Sequence, residues 1–360
     1  QTDGENIMTT AQAAKKTKKP AQFGLALDIG YSNMKGRFGA IGSKPEEFIR
    51  PVGAAPAEYL ASGMLGNSGG DELMVNLEDE QWVAAADPQM LQNWRRELHQ
   101  DYPRTKQYQA LLKAALLLTN TDVVDILTIG LPVDHYKDES YRKDLIERIE
   151  GKHDITPKRS VTVKQVLIIP QAAGAYFQML AELDDKKDAH KLEALQEGNT
   201  LVFDPGFFSV DWVVLSKGSI RYESSGSSTN AMSIVIDAVV RAIQSDYGQK
   251  PQVEQIENAV RNGKPHILLG GQRIQLDAYF AEASKRATST SLSEVKSSTR
   301  GEELKIDLLV PVGGGAKTYS QELTEHFPKT LTTHLENPVM ANARGFWHAL
   351  ETHVQQAATA

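Results

Sequence analysis

Two short acidic turns hold the residue types from which a phosphate and metal site can be built. The first is Leu25-Ala26-Leu27-Asp28-Ile29-Gly30-Tyr31-Ser32-Asn33-Met34-Lys35, and the second is Leu201-Val202-Phe203-Asp204-Pro205-Gly206-Phe207-Phe208-Ser209-Val210-Asp211. Each is an apolar run, then Asp-x-Gly, then an aromatic, then a second extended run. Gly30 and Gly206 fall where a hairpin turn needs positive φ or close backbone approach to a ligand. Turn amides of this kind can cradle an anion. Carboxylates at Asp28 and Asp204 can hold waters of Mg²⁺, an ion that usually keeps several of its waters. The repeat, one copy per half of the chain, predicts two related domains facing each other across a metal–phosphate cleft.

Other residues sort around that pair. Strand alternation can turn the Lys35 ammonium into the cleft as a point charge for phosphate, or leave it solvated. Asp211 occupies the equivalent place in the second copy, so the copies have different tasks. Gln171 follows an apolar strand ending at Pro170. A neutral amide cannot abstract a proton but can orient a water for in-line attack on phosphate, and a purely structural glutamine is the alternative. Gly313-Gly314-Gly315 follows a strand and precedes a helix, either as a close approach to a flat or anionic ligand or as a tight turn. Ala316 stands where a P-loop requires glycine before its lysine, so Lys317-Thr318 is not one. No Gly-x-Gly-x-x-Gly follows a strand, no His-Glu-x-x-His occurs, and no Gly-x-Ser-x-Gly elbow occurs, which removes dinucleotide, zinc-protease and serine-hydrolase readings.

The elements that must position these groups alternate between strand and helix, an α/β class. Strands are expected at 23–29, 33–40, 47–52, 73–76, 82–85, 123–129, 161–169 and 308–312, with a hairpin over 267–276 around Gly270-Gly271. Helices are expected at 108–118, 141–150, 172–183, 233–243, 319–327 and 339–355, and one starts over 277–285. Residues 54–71, rich in Gly, Ala and Ser, read as a flexible loop. The Ser/Thr-rich stretch 286–303 reads as an exposed loop or irregular helix. Residues 1–22 are polar, with Lys15, Lys16, Lys18 and Lys19 clustered, and read as a disordered basic arm.

Composition sets the outer bounds. A chain of 360 residues suggests more than one core. Net charge of −7 argues against broad direct nucleic-acid binding by the folded body. With no cysteine, disulfides, thiolate catalysis and Cys-ligated zinc are excluded. No apolar run is long enough to span a bilayer and no apolar signal core opens the sequence, so a cytoplasmic protein without a membrane partner is expected.

Taken together, the segments resemble the actin-like ATPases, most closely the ParM/StbA group of plasmid-segregation proteins. Leu27 to Lys35 is similar to that family's phosphate-1 loop. Ile126-Leu127-Thr128-Ile129-Gly130-Leu131-Pro132-Val133, with Tyr136, resembles its Gly-Leu-Pro strand end. Ile169-Pro170-Gln171-Ala172-Ala173-Gly174-Ala175 looks like the first connecting helix and Phe203-Asp204-Pro205-Gly206 like phosphate-2. Val312-Gly313-Gly314-Gly315-Ala316 resembles the adenosine loop, and Asn342-Ala343-Arg344-Gly345 the second connecting helix. Order and spacing hold from about Phe23 to Leu350.

The resemblance implies the actin-like fold shared by actin, sugar kinases and heat-shock chaperone ATPases. Its domains would be 23–186 plus 338–360 and 187–337, hinged by the connecting helices around a nucleotide cleft. It implies ATP, or GTP, with Mg²⁺ held through water by Asp28 and Asp204. Gly30, Tyr31, Ser32, Asn33, Lys35, Gly206, Phe207, Phe208, Gly313, Gly314, Gly315 and Ala316 would surround the nucleotide, with Ser225-Gly226 as the next contacting loop. Gln171 would orient water where many ParM-type members carry Glu and actin carries Gln, and Asp204 would join it in catalysis. The implied function is a filament-forming ATPase that segregates plasmid or similar DNA through a DNA-binding adaptor of the ParR type. A sugar or metabolite kinase, a chaperone-type ATPase and a non-hydrolysing nucleotide-binding scaffold are the alternatives. The chain departs from the family pattern at Phe207-Phe208, where small residues are usual, and at Pro205, which removes a backbone donor.

Overall fold

The computed structural model describes residues 21–61, 72–92, 94, 101–207, 209–228, 231–300 and 305–359. The basic-arm expectation therefore lies almost wholly outside the described residues, as do Phe208 and the second half of the expected 54–71 loop.

Two sheets carry the architecture. The first is built from β1 (Phe23–Ile29), β2 (Asn33–Ala40), β3 (Glu46–Pro51), β4 (Ile126–Leu131) and β5 (Val166–Pro170), in the order β5-β4-β1-β2-β3. The second contains β6 (Asn199–Pro205), β7 (Val210–Ser216), β8 (Ser219–Ile220), β9 (Gly226–Ser228), β10 (Leu308–Pro311) and β11 (Leu331–Thr332). Its order is β8-β7-β6-β10-β11, and β9 pairs β7 off that path. In each sheet an antiparallel hairpin is flanked by a parallel strand supplied from later in the chain. The parallel strands read as near-continuous apolar runs because both faces are covered. Leu25, Leu27, Leu127 and Ile129 fill the first core, and Leu201, Phe203, Val214 and Leu309 the second.

Helices close both layers. Thr105 caps α1 (Lys106–Leu118) by accepting from the Tyr108 amide at 3.2 Å, and the buried face of that helix covers the first core. Between the sheets run α2 (Ala173–Lys186) and, at the chain's end, α7 (Ala341–Thr359). They cross at glycines. A Cβ on Gly345 would overlap the Gly174 carbonyl, and one on Gly174 or Gly130 would overlap the Phe346 ring. Bare backbone at these positions lets the two helices touch. Over the second half lie α3 (Met232–Tyr247), α4 (Val253–Arg261), α5 (Asp277–Arg300) and α6 (Ala316–His326).

Several expected elements differ in the structure. Residues 54–60 are not loop: Gly53–Pro56 is a strand paired with Glu80–Ala86, followed by a 3-10 turn at Ala57–Tyr59. The run 123–129 is two strands, broken at Asp125, whose carboxylate accepts from the Phe23 amide at 2.7 Å. The run 161–169 likewise splits into Arg159–Val163, in a small three-stranded sheet, and β5. The stretch 286–300 continues α5 without interruption. Its stripe of Ser291, Leu292, Val295 and Thr299 is buried, and the Thr299 hydroxyl satisfies itself on the Val295 carbonyl at 3.1 Å.

Candidate active site

The two Asp-x-Gly turns are built alike. Gly30 N–H donates to the Asn33 carbonyl at 3.1 Å and Gly206 N–H to the Ser209 carbonyl at 2.8 Å. Neither glycine has positive φ; a Cβ on either would sit tightly against that same carbonyl, at 3.3 Å and 3.0 Å. Within the hairpins Asp28 is opposite Lys35, and Asp204 is opposite Asp211. A cleft of about 430 Å³ lies between the turns. Its lining includes Gly30, Tyr31, Ser32, Asn33, Lys35, Gln171, Asp204, Gly206, Phe207, Asp211 and Gly313 to Gly315.

At the floor, charge is arranged closely. Lys35 Nζ donates to Asp28 Oδ2 at 2.9 Å, and Gln171 Nε2 donates to Asp28 Oδ1 at 3.2 Å. Asn342, from the first turn of α7, donates to Asp204 Oδ2 at 2.6 Å. A Cβ on Gly313, which sits at φ +76°, would overlap the other Asp204 oxygen. Asp28 and Asp204 are 3% and 5% exposed. Burial pushes the Asp204 carboxyl up to about 7, with Asp28 adding to the rise and Lys35 and the Asn342 hydrogen bond opposing it. Burial alone would lower Lys35, but the facing Asp28 and Asp204 outweigh it and hold the ammonium above its ordinary range. Burial likewise raises Asp211, while hydroxyls of Ser209, at 2.6 Å, and of Ser227 occupy its two oxygens.

An aromatic wall closes one end. Tyr31 stacks on Tyr102 with centroids 4.6 Å apart, and Tyr102 meets Tyr108 edge-on at 5.6 Å. Burial, then the nearby Asp211, raises the Tyr31 phenol. Phe207 packs on the second core while lining the cleft, so it is a wall rather than an obstruction.

Not every expected contact converges. Ser225 and Gly226 lie away from the cleft. The Ser225 hydroxyl accepts from the Val214 amide at 2.9 Å and donates to the Arg221 carbonyl at 2.7 Å, and Gly226 lies under the Trp212 ring. Ala316 is buried behind the glycines as the first residue of α6. Sequence reading missed Asn342, Asp211 as a cleft residue, and Glu257 of α4, which accepts from the Ser32 hydroxyl.

The lining fits a phosphate ligand with a hydrated divalent cation. Among the described residues no cluster of three or more His, Cys, Asp or Glu could hold a metal directly. Two facing carboxylates suit an ion held through its waters. The buried side-chain oxygens of Asn33 and Asn342 find no hydrogen-bond partner among the described residues, leaving acceptors for such waters or for ligand hydroxyls. A Cβ on Gly314 would meet nothing within 4 Å, while Gly315 donates to the Pro205 carbonyl at 3.0 Å, so the glycine run is a braced rim with open space beside it.

Comparison with known proteins agrees with this architecture. The family described as the N-terminal domain of actin-like proteins matches residues 26–174, and the C-terminal domain of archaeal MreB-like actin homologues matches residues 202–325. Among solved structures, an archaeal actin homologue in its native form is 19% identical, with a TM-score of 0.72 over 92% of this chain and 100% of that one. The same homologue in complex with ADP gives 18% identity and a TM-score of 0.69, over 92% and 100%. A 15-stranded ParM filament from Clostridium botulinum gives 19% and 0.66, over 93% and 100%. At these identities the likeness carries the fold. No protein of curated function matches the sequence.

Proposed function

Because this chain belongs to the actin-like proteins, we propose that it is a nucleoside-triphosphatase that binds ATP–Mg²⁺ in the cleft and polymerises into a filament. The observation that carries the reading is the facing pair Asp28 and Asp204 with Lys35 between the two like-built turns. Asp28 and Asp204 would hold the cation through water, and bound Mg²⁺ would neutralise phosphate charge. Lys35 supplies a fixed positive charge, and the turn amides of Tyr31, Ser32 and Phe207 would hold phosphate oxygens. Gln171 is tied to Asp28 through its amide nitrogen. Its oxygen is the group that would orient the attacking water, and an amide accepts no proton in doing so. The same chain region that bears Gln171 leads into the glycine crossing of α2 and α7, so closure of the cleft would act at that pivot. We divide the chain into domains 23–186 plus 338–360 and 187–337, with the boundaries after α2 and before α7.

Assembly would be head to tail, a heterologous contact that does not close. DNA segregation would run through an adaptor of the ParR type, since an acidic body is a poor direct ligand for DNA. Among the described residues no helix is long and apolar enough to cross a membrane, and we place the protein in the cytoplasm. A small-molecule kinase would need a catalytic base in the cleft. Asp211 is the remaining carboxylate of the paired turns, and two serine hydroxyls occupy it.

The test is light scattering and phosphate release with ATP, GTP or ADP, each with Mg²⁺. Scattering is expected to rise with the triphosphate and not with ADP, and Asp204→Ala is expected to release no phosphate. Assembly without phosphate release would make the chain a nucleotide-binding scaffold. Undiminished turnover in Asp204→Ala would remove the metal-site assignment.

A further inference from the structure

Helix α4 is anchored in its own half by its apolar face and by Gln255, whose Nε2 donates to the Leu268 carbonyl at 2.6 Å. Ile256 and Ala259 are buried in the second core. The residues between them reach the other way, across the cleft. Glu257 accepts from the hydroxyl of Ser32, in the first turn. Asn258 Nδ2 donates to Asp87 Oδ2 at 2.9 Å and approaches Gln89 Oε1 at 3.4 Å. Asp87 caps the 3-10 turn Pro88–Met90, its Oδ1 accepting from the Gln89 amide at 3.0 Å. One carboxylate thus holds its own turn with one oxygen and the opposite half of the molecule with the other.

The two crossings respond differently to a ligand. The Asn258–Asp87 bond lies on residues outside the cleft lining, so a ligand in the cleft does not compete for either of its partners. The Ser32–Glu257 bond lies within the lining and meets that competition. A hydroxyl donating to Glu257 cannot donate that proton to a phosphate oxygen, and a buried carboxylate repels the phosphate itself.

We propose that α4 is a latch that joins the two halves at the cleft rim and sets how fast nucleotide enters and leaves. Asn258–Asp87 holds the rim in every state, and Ser32–Glu257 is the contact an incoming phosphate must displace. The proposal rests on the nucleotide reading above for its ligand, but the closure of the rim does not.

The experiment compares wild type, Asn258→Ala, Asn258→Asp and the double variant Asn258→Asp with Asp87→Asn. Release of a fluorescent ATP analogue is followed by stopped flow, and the radius of gyration of the nucleotide-free chain by small-angle scattering. Asn258→Ala is expected to speed release about tenfold, the change one hydrogen bond to a carboxylate supports. Asn258→Asp, which sets two carboxylates face to face, is expected to do at least as much and to enlarge the free chain. The double variant exchanges donor and acceptor while residue 87 keeps its capping oxygen, so both readouts return toward wild type. Wild-type release and radius in Asn258→Asp, or a loss that the exchange fails to restore, overturns the latch. A wild type that binds no nucleotide defeats the functional reading instead, and the scattering series still decides the latch.

Discussion

Replacing Lys35 by Met keeps the length and most of the packing of the side chain and removes the cation beside two buried carboxylates. Lys35 is 13% exposed and Asp28 3%, so solvent cannot take over its role. Breaking a buried pair by removing one partner costs about 3–5 kcal/mol. At about 2–4 °C per kcal/mol for domains of 150–250 residues, that is a fall in melting temperature of about 6–20 °C. The loss has a pH signature. Burial pushes the Asp204 carboxyl in the folded chain up to about 7, above its ordinary 3.8. A group raised on folding adds stability that is complete below its unfolded pKa and is lost as pH climbs through the folded one. At pH 5 Asp204 is therefore uncharged, and the variant loses only the Asp28 partnership. At pH 8 the wild type has Lys35 to meet both carboxylates and the variant has nothing. Thermal melts in EDTA at pH 5 and pH 8 should show a wider gap between the two proteins at pH 8, and added Mg²⁺ should narrow it. A gap independent of pH would falsify the placement of Lys35 as shared counter-charge.

Two further outcomes follow from the same geometry. Gln171→Ala should leave nucleotide affinity nearly unchanged while slowing phosphate release, because an orienting contact counts mainly in the transition state; normal release would make Gln171 structural. Gly345→Ala should destabilise the fold by at least the 1–3 kcal/mol or so of an overpacked core, since its methyl has only the Gly174 carbonyl to displace. A urea midpoint equal to wild type would show that the helices separate freely.

The legible parts of this chain were those whose chemistry is local. An apolar strand, an acid and a turn glycine are adjacent residues, so both hairpins, with Asp28, Lys35 and Asp204, could be read from spacing. Gly313 to Gly315 were legible for the same reason. Asn342 reaches Asp204 across 138 positions, and Glu257 reaches Ser32 across 225; no local pattern announces either. Ser225-Gly226 was placed in the cleft from its order along the chain, yet strand register turned it beneath Trp212. Gly53–Pro56 has weak intrinsic strand preference, and its pairing with Glu80–Ala86 comes from tertiary context. In α5 the buried stripe mixes Ser and Thr with Leu and Val, which blurs the apolar period that signals a helix.

The last helix has a consequence for how the molecule is made. Phe346 and Trp347 of α7 cover Ala26, in the first strand, and Gly24 lies against Trp347 and Leu350. That face of the first strand is thus closed by residues that lie beyond the whole second half in sequence. Until α7 docks, β1 presents bare apolar surface on that face, the condition under which a folding chain misassembles or recruits a chaperone. The second half lies between β1 and α7 in the chain and can collapse before α7 docks. Closure of the first core therefore waits for α7, and deletion of α7 should expose the apolar face of β1 rather than unfold the second half.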